Sequence, residues 1–250
     1  MFVIAHLSDL HVNGNHHTRG RIESAFDYIN TRSDGIDALL VTGDITDRAS
    51  TDEMLEARKL ITSPLPTLIT VGNHDARPSF NAVFRPGTNP TAPVNEALTV
   101  GDVTLLSVDS SLPGERRGFL DEETIDWLST ELARASGPVV VAFHHPPVTL
   151  GMPMMDSIMM SSPERLGAVV DANPNIVALV CGHAHSAAAT TFHGRPLVLA
   201  PGVSSTLNLP FDCLLYTSDA ADELLCVQLG GRRILQHNHH PTLLSSAHYS

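Results

Sequence analysis

Five short stretches carry side chains that could bind metal ions: SDLH at 8–11, GDITD at 43–47, GNHD at 72–75, HHPP at 144–147 and GHAH at 182–185. Their donors are carboxylates, imidazoles and one carboxamide. Nitrogen and oxygen ligands of this kind suit Mn, Fe, Co or Zn and do not suit an iron–sulfur or all-cysteine zinc site. Taken singly, each stretch has an ordinary explanation. Asp9 with His11 could close a turn, Asp44 after Gly43 could cap one, and His144 could be a core histidine donating to a carbonyl. His183 and His185 resist that explanation, because residues two apart at an extended strand end point to the same side.

As a set, the five supply enough donors for two ions, which need about eight ligand positions counting water. A carboxylate can bridge two ions; one imidazole nitrogen cannot. Two divalent ions about 3.5–4 Å apart activate a bridging hydroxide and clamp the oxygens of a phosphoryl centre during in-line displacement. Asp9, Asp44 and hydroxide together leave about one positive charge on such a pair. That favours an anionic phosphodiester even on a chain of formal charge -12.

The elements that must position these groups are apolar runs at 2–7, 38–42, 65–71, 103–108, 139–143, 176–181 and 196–200. Most are continuous rather than alternating, which is the pattern of strands covered on both faces. Helical spacing lies between several of them. Ile22, Ala25, Phe26 and Ile29 share a face over 21–31; Ser50 with Glu53 forms a capping box ahead of MLEARKLI; Ile125, Leu128, Leu132 and Ala135 share a face over 122–135. Ser162 with Pro163 opens a further helix, which Asn173 and Pro174 end. Alternating strands and helices predict a layered α/β domain whose strand ends converge on one crevice. Residues 76–97, with four prolines, and 145–161 read as surface excursions of the kind that form lids or binding loops.

At 250 residues and 42% hydrophobic composition the chain suits one layered domain. It has no apolar stretch near 20 residues, and MFVIAHLSDLH has no basic leader region, so a cytoplasmic protein away from membranes is expected. With 27 acidic against 15 basic residues and no basic stripe, nucleic acid is not an expected partner. Cys181, Cys213 and Cys226 form no CxxC pair, and Cys181 reads as core packing.

The ordered set D-x-H, GD, GNHD, HHPP and GHxH resembles the calcineurin-like metallophosphoesterases. With Met155 and Asp156 it is most similar to their class III cyclic nucleotide phosphodiesterase branch. The resemblance covers residues 2 to about 212 and implies a four-layer α/β/β/α sandwich. It also implies two divalent or mixed-valence transition-metal ions, Fe, Mn, Zn or Co. By motif position, Asp9, His11, Asp44 and His185 hold the first; Asp44 bridges to a second held by Asn73, His144 and His183. His74 is then the catalytic imidazole beside the phosphate, with Asp75 supporting it or its loop. Asn73, His74, Arg77 and His145 are the candidate substrate contacts; Asp47 is a weaker candidate for the site, and His16 and His17 are candidates for its rim. The implied reaction is hydrolysis of phosphodiesters, with 3',5'-cyclic nucleotides first. Glycerophosphodiesters or phosphomonoesters are the alternative, and a non-catalytic metal-binding scaffold is a third reading that the retained His74 opposes. A homodimer is common in this branch.

Residues 213–223, CLLYTSDAADE, resemble a translated sequencing-library adapter. The expected domain is therefore 1–212, with 213–250 foreign or displaced; the alternative is a genuine loop followed by a strand at LLCVQL.

Overall fold

A computed structural model describes residues 1–207 and 209, together with the backbone of 223–229 and 234–238. The strands are β1 (Phe2–Leu7), β2 (Ala38–Thr42), β3 (Thr67–Thr70), β4 (Glu96–Val100), β5 (Val103–Ser107), β6 (Val139–Ala142), β7 (Ile176–Cys181), β8 (Ala188–Phe192), β9 (Arg195–Leu199), β10 (Glu223–Leu229) and β11 (Ile234–Asn238). The helices are α1 (His16–Asn30), α2 (Thr51–Leu60), α3 (Arg77–Phe84), α4 (Glu122–Arg134), α5 (Pro153–Asp156) and α6 (Glu164–Ala172).

They form two sheets, ordered β11-β10-β1-β2-β3 and β4-β5-β6-β7-β9-β8. The pairings β1/β2, β2/β3, β5/β6, β6/β7 and β7/β9 are parallel. Three hydrophobic clusters define the layers. Ala5, Leu7, Leu39 and Val41 pack on Ile22, Phe26, Met54 and Phe80 of α1–α3. Their neighbours Ile4 and Leu40 face the other way and meet Leu105, Val140, Val180 and Val198 of the second sheet. Val141 and Leu179, on that sheet's far side, pack on Leu128, Leu132, Leu166 and Val170 of α4 and α6. The period-two alternation of burial partners along apolar strands is what sandwiching between helices and a second sheet requires. The fold is thus the expected α/β/β/α arrangement.

The predicted capping box forms: Glu53 N donates to Ser50 Oγ, and Glu53 returns a carboxylate to the Ser50 N–H. Other readings need correction. The segment 76–97 is not all irregular, because α3 starts inside it with Pro78 in its first turn, where a missing N–H costs little. Asn81 then ties the following stretch down, donating to the carbonyls of Asn89, Pro90 and Ala92. The last predicted helix begins at Glu164, one residue beyond Pro163, with Ser162 at φ 54° before it. Strands β4 and β8 were not read from the sequence. Both are edge strands closed by two-residue hairpins, at Gly101–Asp102 and at His193–Gly194, where both turn residues have positive φ.

Residues 213–222 lie outside the described residues, and with them most of the adapter-like segment. Strand β10 pairs antiparallel with β1, and β11 with β10. No described helix is long and apolar enough to cross a membrane.

Candidate metal centre

The parallel strands of both sheets end beside one another, and each of β1, β2, β3, β6 and β7 delivers one of the five motifs. Backbone bonds lace their loops together. Asp9 N donates to Gly43 O at 3.1 Å, His11 N to Asp44 O at 2.9 Å and Gly182 N to His144 O at 3.1 Å. Five expected ligands, Asp9, His11, Asp44, His183 and His185, have φ between 45° and 70°. Left-handed backbone is uncommon for non-glycine residues and costs of order 1–3 kcal/mol each in strained cases, so its clustering here marks a functional turn geometry. Gly72 and Gly182 are required by close approach: a Cβ on Gly72 would collide with the Asp44 carboxylate, and one on Gly182 with the Ser8 hydroxyl.

Asp9, His11, Asp44 and His185 bring one donor atom each within 4.8 Å of one another, as do His144, His145 and His183, and His11, Asp47 and His74. Each carboxylate divides its oxygens. Asp9 Oδ2 accepts from His183 N at 3.0 Å and turns Oδ1 toward His185 Nε2 at 3.3 Å. Asp44 Oδ1 accepts from His74 N at 2.8 Å, which leaves Oδ2 at 3.6 Å from His11 Nε2 and 3.4 Å from His144 Nε2.

The imidazoles are turned to match. His144 Nδ1 donates to Thr42 O at 2.7 Å, and His185 Nδ1 lies 2.9 Å from both the carbonyl and hydroxyl of Ser205, so each keeps Nε2 bare for the centre. His11 Nε2 then faces His185 Nε2 at 3.1 Å, and His183 Nδ1 faces His144 Nε2 at 3.2 Å. Two nitrogens bound to one ion at about 2.0–2.1 Å stand about 3.0–3.4 Å apart, so both pairs fit a shared cation. The side-chain oxygens Asp9 Oδ1 and Asn73 Oδ1 are buried without a hydrogen-bond partner. Buried oxygens left unpaired beside two facing imidazole pairs fit a pair of metal ions.

Charge in the metal-free centre follows from burial and proximity. Burial opposes the charge on Asp44, but His144, His11 and His74 outweigh it and hold the carboxyl well below its usual range. Burial lowers His11, and burial with His144 lowers His183 to about 3, so these imidazoles keep free lone pairs. For His144 burial also opposes the cation, yet Asp44 and its hydrogen bond prevail and raise it to about 9.

The remaining candidates separate. His74 Nδ1 donates to Asp47 O at 2.9 Å, and the ring stands edge-on to His11 with centroids 4.7 Å apart. It borders a cavity of about 170 Å³ together with Asp44, Asn73, His183 and His185. Asp75, grouped with His74 for catalysis, is a positioning residue. Its carboxylate accepts from the N–H groups of Ile45, Thr46 and Gly72 and from Thr46 Oγ1, pinning the GNHD loop to the GDIT loop. Burial and the nearby Asp44 raise its carboxyl to about 6.

His145, a candidate substrate contact, is occupied within the protein. It is fully buried, with Nδ1 2.8 Å from Ser110 Oγ and Nε2 3.2 Å from Arg116 O. Arg77 is likewise committed elsewhere, to Asp109 Oδ2 at 2.8 Å and to Ser111 O at 3.1 Å. Asp156 Oδ1 accepts from Leu150 N, while Met155 borders the cavity. Cys181 is core, as expected. His16 and His17 are exposed in the first turn of α1.

Sequence reasoning missed Arg116, which borders the cavity together with the apolar Met154, Met155 and Ile158. Its signal was weak, one arginine in the polar run GERR. It also missed Ser205 and the Thr42 carbonyl, whose role is to fix a histidine tautomer; backbone acceptors leave no mark in residue type.

Comparison with known proteins agrees with this geometry. The calcineurin-like phosphoesterase profile matches residues 2–187. A glycerophosphodiester phosphodiesterase of Enterobacter lignolyticus is 32% identical over 80% of this chain and 76% of its own length. A probable cyclic nucleotide phosphodiesterase of Rhodococcus erythropolis is 31% identical over 79% of this chain and 62% of its own. Among solved structures, a dimetal phosphatase of Danio rerio superposes with a TM-score of 0.67 at 13% identity, covering 96% of this chain and 99% of its own, which is a likeness of fold. The chain belongs to the calcineurin-like phosphoesterase family.

Proposed function

We propose that this protein hydrolyses phosphodiesters with two transition-metal ions held by Asp9, His11, Asp44, Asn73, His144, His183 and His185. The observation that carries this reading is Asp44 Oδ2, which stands between an imidazole of each half of the centre. Asp9, His11 and His185 complete one half; Asn73, His144 and His183 complete the other. Two such ions acidify water and offset charge on the phosphoryl oxygens.

The chain's own groups do the rest. Asp44 and Asp9 keep the centre anionic enough to retain cations, and the imidazoles, His144 once it has exchanged its proton for the metal, supply lone pairs without adding charge. Asn73 and His74 border the cavity where the phosphate sits, with Arg116 at its edge as a cation for the same anion. Because the Asp47 carbonyl holds His74 Nδ1–H, Nε2 is the position from which imidazolium delivers a proton toward the cavity. The oxygen of water bonds to phosphorus and its proton is released to solvent, one ester P–O bond breaks as His74 protonates the departing oxygen, and His74 regains a proton from solvent. The products are an alcohol and a phosphomonoester.

The 3',5'-cyclic nucleotides are the first substrate class, supported by the motif pattern and the Rhodococcus relative. Acyclic glycerophosphodiesters are a second reading, favoured by the relative from Enterobacter and by a further cavity described below. A hydrolysis panel tests both: protein reconstituted with Mn, Co or Fe/Zn is given cyclic AMP, cyclic GMP, glycerophosphodiesters, a phosphomonoester and single-stranded DNA. Metal-dependent turnover of a diester, abolished by chelation, is expected. Turnover of the monoester alone would contradict the reading.

A further inference from the structure

Asn73 lines two cavities. One, of about 170 Å³, is the cavity that His74, Arg116 and Met155 also border. The second, of about 250 Å³, is bordered by Asn73, Arg77, Thr91, Leu112 and Pro113. The reaction as described uses only the first.

The second cavity is built rather than incidental. Arg77 forms part of its wall and is held in place by Asp109, a fully buried carboxylate that also accepts from the N–H groups of Val94 and Ser111. That network ties α3, the stretch before β4 and the loop after β5 into one rigid frame. Because Asp109 balances Arg77, the wall carries no uncompensated charge. Thr91 and Ser111 add polar atoms, while Leu112, Pro113 and Pro78 supply apolar surface. Such a lining suits an uncharged alkyl or polyol chain.

A phosphodiester has two ester arms, and a phosphate placed at Asn73 adjoins both cavities, since that residue lines each of them. We propose that the second cavity receives one arm of an acyclic phosphodiester while the other arm lies in the His74 cavity. The inference rests on the phosphodiesterase reading and concerns its second substrate class, the acyclic diesters. A cyclic 3',5'-diester carries both ester oxygens on one ring and cannot divide itself between two cavities. His74 borders only the first cavity, so the arm there leaves: its P–O bond breaks, its oxygen takes the proton, and it departs as the alcohol. The arm beside Thr91 stays on phosphorus as the monoester.

The test compares two stable diesters, dimethyl and dibutyl phosphate, by calorimetric binding to the metal-loaded protein. Wild type is compared with Thr91→Trp and Pro113→Trp, which fill the cavity from two different segments. The ratio of dibutyl to dimethyl affinity is expected to fall at least tenfold in both variants. Circular dichroism on each variant confirms folding, and agreement of the two guards against a local artefact of either. An unchanged ratio in both would overturn the proposal. Wild-type turnover of acyclic diesters is measured in parallel. Its absence would overturn the phosphodiesterase reading, whereas the affinity ratio still decides whether an ester arm enters the second cavity.

Discussion

The two sheets contribute unlike halves to the centre. The N-terminal sheet brings both carboxylates, the carboxamide and the imidazoles of His11 and His74; the second sheet brings only the imidazoles of His144, His183 and His185. One half supplies negative charge and the proposed proton-transfer group, the other only imidazole nitrogens. Neither half is complete, and Asp44 Oδ2 faces both, 3.6 Å from His11 and 3.4 Å from His144. The centre is therefore a property of the sheet–sheet contact, and the Ile4, Leu40 and Val140 cluster that joins the sheets is also what assembles the ligands. On the proposed reading the chemistry belongs to the N-terminal half, and the second half mostly fixes metal.

The sharpest division is at His74. His74→Ala is expected to leave folding and metal content near wild type while lowering the chemical step by about two to four orders of magnitude for poor leaving groups. An activated nitrophenyl ester needs little protonation and should lose little. Equal losses across a leaving-group series would reduce His74 to an electrostatic role.

Stability separates the halves next. Leu40→Ala, at the contact between the sheets, should cost about 2–5 kcal/mol in urea unfolding and weaken metal uptake. Leu39→Ala, one residue away on the helix-facing side, should cost a similar amount with less effect on metal uptake. Equal effects on metal binding would mean that the sheet interface does not control the centre.

The smallest expected effect is a pH dependence at His6, which is fully buried on β1 with Nε2 2.8 Å from Thr42 Oγ1. Burial lowers its pKa to about 4. A depressed histidine binds fewer protons folded than unfolded, so stability falls as pH drops from about 6.5 toward 4. The loss is at most about 3 kcal/mol. Urea unfolding of metal-free protein at pH 7 and 4.5 should show less of this fall in His6→Gln; an identical fall would assign it to other groups.

Much of this was legible in the sequence, for identifiable reasons. Strands covered on both faces announce themselves as unbroken apolar runs, and a layered α/β domain followed from them; the four-layer sandwich came from the family resemblance. Edge strands β4 and β8 did not, because each buries little and reads as polar. Helix α3 was hidden by prolines that a first turn tolerates. The donors were legible because acids and imidazoles at five strand ends have few other uses. Their neighbours were not: His144 and His145 are adjacent and identical in type, yet one faces the centre and the other is consumed by Ser110 and the Arg116 carbonyl. Arg77 shows the same limit, since its partner Asp109 lies 32 residues away. Residue type reveals what a side chain can bind, and only packing reveals what it has already bound.

The central claim is that Asp44 joins two metal sites, one in each half. Anomalous scattering from crystals grown at saturating metal, with titration in solution, tests it directly. Wild type should hold two ions per chain, and Asp44→Asn should lower occupancy of both sites more than Asn73→Ala does. A single ion per wild-type chain at saturation, or an Asp44→Asn protein that empties only one site, would contradict the account.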